Sequence, residues 1–462
     1  MLIPWVLSHL LLLVGFLLAV PLTAQMVRQR RSPAGSLAWL LIMLLMPYLG
    51  VPLYLILGGR KMRRLAKSKT ELQLLNTSVL SEETHDMGRL LRSYGIPDAC
   101  SGNRIELCRT GEEGYATLTE IIEQARDSLW VTTFILHPDV VGSDIIERLS
   151  RRAAAGIKVR VLLDGVGSLH TGKHALAPLT RAGGKVAFFM PVLHRPFRGR
   201  TNLRNHRKAV IADSCRVWAG GANIASEYIG PTPTPGRWCD LSFVLEGPAT
   251  QHYQNIFRSD WQFATGEQLP ALPGCPHTIS AAVGSATIQV VPSGPDVNDD
   301  PLYAALISAT FQAKKHLWIV TPYFVPDETL AEALILAAHR GIDVQVLVPK
   351  TSNHRLADMA RGPYLRDLQE AGGHVLLYQK GMLHAKALLI DDTLAVIGSA
   401  NFDMRSLFLN YETGLLLYSQ AEIHKVRSWI ESIAKSCHPG LNKVGGFRDL
   451  SEGVARLMAP LL

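Results

Sequence analysis

His206-Arg207-Lys208-Ala209-Val210-Ile211-Ala212-Asp213 and His384-Ala385-Lys386-Ala387-Leu388-Leu389-Ile390-Asp391 are one pattern written twice: His, any residue, Lys, four apolar residues, Asp. After six intervening residues beyond each Asp comes a second matched segment, Gly220-Gly221-Ala222-Asn223 and Gly398-Ser399-Ala400-Asn401. The apolar stretches between Lys and Asp read as strands, and in a strand residues i and i+2 share a face. Each His therefore points with its Lys toward a common site. Each Asp has the opposite parity and falls at the strand's end, where it supports a turn. The Gly-x-x-Asn segments can bring backbone and a side-chain amide close to an anion.

The duplication extends outward from these motifs. Leu129-Trp130-Val131 returns as Leu317-Trp318-Ile319. A helical stretch ending Ala154-Ala155-Gly156 leads into the apolar run Ile157 to Leu162, and Ala337-Ala338-His339-Arg340-Gly341 leads into Ile342 to Leu347. Ala182-Gly183-Gly184-Lys185-Val186 matches Ala371-Gly372-Gly373-His374-Val375. Strand patterns alternating with helical ones predict an α/β fold in each half. The Pro- and Gly-rich, charge-poor stretch from Gly266 to Gly294 is the expected joint.

The N-terminal part differs in kind. Leu2 to Ala24 and Gly35 to Leu57 are uncharged runs of 23 residues each, long enough to cross a hydrocarbon core of about 30 Å. The first lacks the basic start and small-residue cleavage site of a signal peptide. Residues 1–70 hold Arg28, Arg30, Arg31, Arg60, Lys61, Arg63, Arg64, Lys67 and Lys69 and no acid, which exceeds the whole chain's net charge of +8. The remaining body is thus near −1, and the basic character belongs to collars around the apolar runs, suited to anionic lipid headgroups. A nucleic-acid surface is not indicated. Six of the basic residues follow the second run, so the positive-inside tendency puts both termini in the cytoplasm and Gln25 to Ala34 outside, leaving three arginines on the outer face. The six cysteines, Cys100, Cys108, Cys215, Cys239, Cys275 and Cys437, show neither zinc-ligand spacing nor a disulfide framework and read as core thiols. The expected division is a two-span anchor over 1–60, a basic linker over 61–109, and two α/β domains over 110–275 and 276–462. The duplicated body carries its own core, so a chain begun near Thr70 is expected to fold.

Chemistry follows from the paired motifs. Halves related by a pseudo-twofold would bring two His and two Lys together. Two ammonium groups can neutralise a phosphate's oxygens, one imidazole can attack phosphorus, and the other can protonate the leaving alkoxide. No cofactor is called for, and no carboxylate cluster or His-Glu-x-x-His run suggests a metal. Gly167-Ser168-Leu169-His170-Thr171-Gly172-Lys173 imitates a phosphate loop, but His174 stands where Ser or Thr would hold magnesium, so it reads as a surface loop.

The two His-x-Lys-x4-Asp motifs resemble the paired signature of the phospholipase D superfamily. Asn205-His206-Arg207-Lys208, Ser293-Gly294-Pro295-Asp296, Thr321-Pro322-Tyr323-Phe324-Val325-Pro326 and Asn401-Phe402-Asp403-Met404-Arg405-Ser406 are similar to the bacterial cardiolipin synthase pattern within it. So are Ala38-Trp39, Pro47, Gly50 and Tyr54 in the anchor. The resemblance implies two phospholipase D-like α/β domains with pseudo-twofold symmetry and a phosphatidyl-histidine intermediate. His206, Lys208, Asp213, His384, Lys386 and Asp391 form the implied catalytic set, with His206 as nucleophile by analogy and the reverse assignment open. Asn223 and Asn401 would hold phosphate, and Asp240 and Glu412 would orient the histidines. The implied reaction joins two phosphatidylglycerols into cardiolipin with release of glycerol, at the inner (cytoplasmic) membrane, multi-pass, the body on the cytoplasmic side. A lipid hydrolase, a nuclease of the same superfamily and a non-enzymatic scaffold are the alternatives. The oligomeric state is not legible.

Overall fold

The computed structural model describes residues 33–46, 85–190, 203–271, 283–441 and 444–457, with Leu22, Tyr48, Gly50, Val51, Tyr54, Lys69 and Leu72. The chain divides into two units, residues 1–65 with 193–202, and residues 66–192 with 203–462.

The larger unit carries the duplication. Its first half supplies β1 (Cys100–Cys108), β2 (Ser128–Thr133), β3 (Lys158–Asp164), β4 (Lys185–Phe189), β5 (Ala209–Ala212), β6 (Arg216–Gly220) and β7 (Ser242–Glu246). The second supplies β8 (Ala286–Ser293), β9 (His316–Val320), β10 (Phe324–Val325), β11 (Asp343–Pro349), β12 (His374–Tyr378), β13 (Ala387–Ile390), β14 (Leu394–Gly398), β15 (Phe402–Asp403), β16 (Glu412–Leu417) and β17 (Cys437–Pro439). One half runs β1-β7-β6-β5-β2-β3-β4 and the other β8-β16-β14-β13-β9-β11-β12, the same order. The two series join edge to edge through the antiparallel β1–β8 pair, making one sheet of fifteen strands with β17 at its end, and β10 and β15 pair separately. In each half the strands before and after the first crossover are parallel, β2 with β3 and β9 with β11, joined by the helices Val140–Ala154 and Glu328–His339. Asp139 and Asp327 cap these two helices, each accepting from a backbone N–H three residues on.

Core packing follows the sheet. Helices Thr250–Thr265 and Gln420–Ala434 bury Trp261 and Trp429 against one face across both halves. Trp130 stacks on Phe257 at 5.2 Å, and Phe257 on Trp261 at 5.8 Å. The opposite face is covered separately in each half.

Several expectations change. The linker expected over 61–109 contains a helix, His85–Ser93, and β1, which is the first half's counterpart of β8. The two strands share almost no residues, so no repeat betrays β1. The joint between halves is shorter than Gly266 to Gly294, because β8 begins at Ala286. Cys215 is disulfide-bonded, against its reading as a core thiol, whereas Cys100 and Cys108 are buried free thiols. The first apolar run, apart from Leu22, lies outside the described residues. In the second, the helix is Pro33–Leu45 and stops there; Pro47 offers no N–H to carry it on. Among the described residues no helix is long and apolar enough to cross a membrane.

Lys69 is not the headgroup-facing cation its place in the basic run suggests. It is buried and pairs with Asp260 and, at 2.7 Å, with Asp296. Arg207 pairs with the same carboxylates at 2.8 and 3.2 Å, and Asn205 donates to Asp260 at 3.0 Å. Burial alone would raise the Asp296 carboxyl, but Arg207 and Lys69 hold it down at about 2. The quartet holds two cations and two anions almost sealed from solvent. Removing one partner leaves a buried charge unopposed, which typically costs about 3–5 kcal/mol. A chain begun at Thr70 loses that cation, so the catalytic body begins upstream of Lys69. We expect Lys69→Met to lower the thermal midpoint of the full-length protein strongly, and Lys69→Met with Asp296→Asn, which restores the balance, to recover much of the loss. An unchanged midpoint in the single variant would show that the quartet does not need Lys69.

Candidate active site

The histidine strands come together because backbone bridges cross from one half to the other. His206 N–H donates to the Tyr411 carbonyl at 2.9 Å, and Tyr411 N–H to the Arg204 carbonyl at 2.9 Å. The mirror pair is His384 N–H to Cys239 carbonyl at 2.7 Å and Cys239 N–H to Met382 carbonyl at 2.8 Å. Each bridge sets the residue after it, Glu412 or Asp240, beside the other half's histidine. Glu412 Oε1 lies 3.0 Å from His206 Nδ1, and Asp240 Oδ2 lies 2.6 Å from His384 Nδ1. Both carboxylates were expected to orient histidines; the structure shows that each serves the opposite half's.

The lysines share the cleft. Lys208 Nζ donates to the His206 carbonyl at 2.6 Å. Lys386 donates to the His384 carbonyl and sits 2.7 and 3.1 Å from that ring's two nitrogens. Lys386 bears electrostatically on His206, and Lys208 on His384, so the four side chains form one site. Burial keeps the His206 imidazole below its ordinary range, and burial with Lys386 pushes His384 down to about 3. Both rings are therefore neutral near pH 7. Burial lowers Lys208 to about 8 and Lys386 to about 7. Burial would raise Asp240 and Glu412, but the facing lysines and histidines outweigh it and both stay ionised. An ionised carboxylate at Nδ1 fixes the tautomer that leaves the Nε2 lone pair for chemistry.

The halves solve the placement of the acid differently. Ser399 Oγ donates to Glu412 Oε2 at 2.5 Å and accepts from Thr413 N–H at 3.0 Å. At the matching position Gly221 has no side chain, and a Cβ there would collide with the Asp240 carboxylate. The longer acid is steadied by a hydroxyl; the shorter one needs the space.

Asp213 and Asp391, counted with the catalytic set, are not brought to the histidines. Asp213 accepts from the backbone N–H of Arg126, Asp127 and Ser128 at 2.7 to 2.8 Å, and Asp391 from Lys314, Lys315 and His316 at 2.7 to 3.0 Å. Three donors each leave them no free reach: they hold the turn before β2 or β9, at positive φ of 50° and 49°. Asn223 is buried with Oδ1 accepting from Ile135 N–H at 3.1 Å, which turns its amide N–H groups elsewhere. Asn401 is buried in the matching place. The loop that imitates a phosphate loop spends Ser168 and Thr171 on the carbonyls of Phe134 and Leu136.

Sequence reasoning did not find the aromatic walls. Phe134 meets His206 edge-on at 4.6 Å, and Tyr228 and Trp238 pack on His384 at 5.0 and 5.3 Å. Trp238 precedes Asp240 in Arg237-Trp238-Cys239-Asp240, the one available signal; Phe134 and Tyr228 carry none.

Comparison with known proteins gives the family. The family model "Cardiolipin synthase, PLD-like domain" matches residues 118–261 and 306–434, and "Phospholipase D-nuclease N-terminal" matches residues 17–59. The chain belongs to the cardiolipin synthase family. Cardiolipin synthase 1 of Bacillus cereus is 33% identical over 94% of this chain and 90% of its own length. The major cardiolipin synthase of Bacillus subtilis is 31% identical over 98% and 99%. Among solved structures, the phosphatidylserine synthase of Haemophilus influenzae shares the fold, with TM-score 0.57 and 17% identity over 81% of this chain and 97% of that one.

The lowered lysines predict an alkaline limit for this family member. A lysine brought down to about 7 or 8 loses its charge as pH rises through that range, and kcat/KM follows the free enzyme. We expect kcat/KM to fall as pH rises through about 7 to 8, while kcat, measured with an anionic phosphodiester between the lysines, holds to higher pH. Parallel decline of both parameters would show that the limit lies elsewhere.

Proposed function

We propose that the protein is a phosphatidyltransferase that joins two phosphatidylglycerols into cardiolipin and releases glycerol. The observation that carries this is the crossed pair, two neutral histidines each held at Nδ1 by a carboxylate from the opposite half, between two buried lysines. Membership of the cardiolipin synthase family supplies the substrate class.

In the first step Lys208 and Lys386 draw the phosphodiester's non-bridging oxygens between them, with Asn223 and Asn401 as further donors. His206 Nε2 attacks phosphorus, a P–N bond forms, and the P–O bond to the glycerol headgroup breaks. The incoming anion raises the basicity of His384, which takes up a proton from solvent as the substrate binds and gives it to the departing glycerol oxygen. In the second step a hydroxyl of another phosphatidylglycerol gives its proton back to His384 and attacks phosphorus. The P–N bond breaks and His206 is restored. Glu412 and Asp240 steady the rings as they gain positive charge. Asp213 and Asp391 act at a distance, by holding the strands.

The near-neutral body makes nucleic acid a poor substrate, since that affinity rests on phosphate neutralisation by clustered Lys and Arg. Work at the cytoplasmic membrane, with the body on the cytoplasmic side, follows from a lipid substrate and the basic residues beside the apolar runs.

Full-length protein incubated with phosphatidylglycerol vesicles should yield cardiolipin and glycerol; phosphatidic acid as the main product would make it a hydrolase. His206→Ala and His384→Ala should each cut turnover by about 10⁴-fold or more, as loss of a nucleophile or its acid–base partner does. Rapid quenching with labelled lipid should trap label on the peptide bearing His206; label on His384 reverses the roles. Chelation with EDTA should leave the rate unchanged, and strict dependence on an added metal would replace this mechanism.

A further inference from the structure

The second apolar run does not behave as a membrane-spanning helix. Its helix, Pro33–Leu45, has 13 residues, about 20 Å at the α-helical rise, against a hydrocarbon core of about 30 Å. The chain then turns back on itself. Gly50 lies so close to the earlier turn that a Cβ there would fall 2.6 Å from the Ile42 carbonyl oxygen and 2.8 Å from the Met43 Cα. The Trp39 and Tyr54 rings meet edge-on, centroids 5.5 Å apart. Residues fifteen apart on one straight helix would be separated by about 22 Å. Met43, Val51 and Tyr54 form a buried cluster with Leu22, Trp39 and Leu40 packed on it.

The bend suits a bilayer interior. Unpaired backbone N–H groups are costly in hydrocarbon. Met46 N–H reaches the Ile42 carbonyl at 2.9 Å, Gly50 N–H reaches the Met46 carbonyl at 2.7 Å, and Pro47 and Pro52 have no N–H to leave unpaired. The side chains around the bend are apolar and uncovered: Leu45 is 74% exposed, Met46 54% and Leu44 49%. A hairpin that buries its glycine side and offers leucine and methionine outward has lipid as its fitting surround.

Charge gives a second, independent argument. If both runs crossed, Arg28, Arg30 and Arg31 would stand on the face opposite the six basic residues from Arg60 to Lys69. If the second run enters and leaves by the same face, all nine lie together, as the positive-inside tendency demands. One misplaced group of arginines disappears without any new assumption.

We infer that the second apolar run, from Pro33 to Tyr54, forms a re-entrant hairpin that enters and leaves the membrane by its cytoplasmic face and does not cross it. This does not depend on the catalytic reading. The test is cysteine labelling of full-length protein in cell membranes with a membrane-impermeant maleimide, the parent protein serving as background. Gln29→Cys and Ser68→Cys should label only after permeabilisation. Gln29→Cys reacting from outside is the arrangement in which the second run crosses, and it overturns the inference. So does Ser68→Cys reacting from outside.

Discussion

Each catalytic-site histidine is gripped by a carboxylate that belongs to the other half, and this exchange constrains the rest of the larger unit. Neither half alone offers a finished site: the first holds His206 without Glu412 and Asp240 without His384. The halves must therefore be fixed to one another within the tolerance of a hydrogen bond. The β1–β8 pair fuses the two sheets into one, and the bridges Asn205–Tyr411 and Cys239–Leu383 lace the histidine strands across the divide. A loosely docked pair of domains with a mobile interface could not keep a 2.6 Å contact between side chains 144 residues apart. One continuous sheet can.

That arrangement loads the interior with charge. Lys208, Lys386, Asp240 and Glu412 are nearly sealed from water, and the Lys69, Arg207, Asp260 and Asp296 quartet is buried as well. Buried ions are compensated only when paired and hydrogen-bonded, and even then the balance is close to neutral. The two clusters differ in how they meet this. The quartet pairs every ion directly, at 2.7 to 3.2 Å for three of its contacts. In the site the lysines donate to backbone carbonyls, while the carboxylates hold histidines. Lysines without direct carboxylate partners keep lowered proton affinities and remain free to meet an anion. The stability given up there is what makes the cleft receptive to a phosphodiester.

The legible part of this architecture is what repeats. Identical offsets from His to Lys, Asp and Asn fixed two strands, a shared face and the turn-bound parity of Asp213 and Asp391, and the structure agrees residue by residue. The glycines that end helices before β3, β4, β11 and β12, namely Gly156, Gly183, Gly341 and Gly372, carry the positive φ that their place in the repeat suggests. What does not repeat was illegible. β1 and β8 match in place but not in residues. The crossing of the acids is a property of chain packing, since nothing in the spacing of Asp240 or Glu412 says which histidine each will meet. Lys69 sits in a run of exposed-looking bases, and nothing in the sequence marks it for burial. Hydropathy measured the length of the second apolar run but could not register that Gly50 lets the chain fold against Ile42.

Duplication gave the protein a symmetric frame, whereas the proposed transfer needs unequal histidines, one to bond phosphorus and one to move protons. The structure shows where the symmetry is broken. Behind His206 lie Asn205 and Arg207, tied into the ion quartet; behind His384 the matching residues are Leu383 and Ala385, plain core. Glu412 reaches its ring with help from Ser399, whereas Asp240 approaches over Gly221. His206 keeps more of its side chain open, 12% against 6% for His384, which also carries the closer carboxylate and the nearer lysine. A ring that must form a bond to phosphorus benefits from an open edge on a stiff, ion-tied strand. A ring that shuttles protons benefits from a tight carboxylate that stabilises its charged form. The differences at four paired positions support the proposed roles, and each arises from a residue that departs from the repeat.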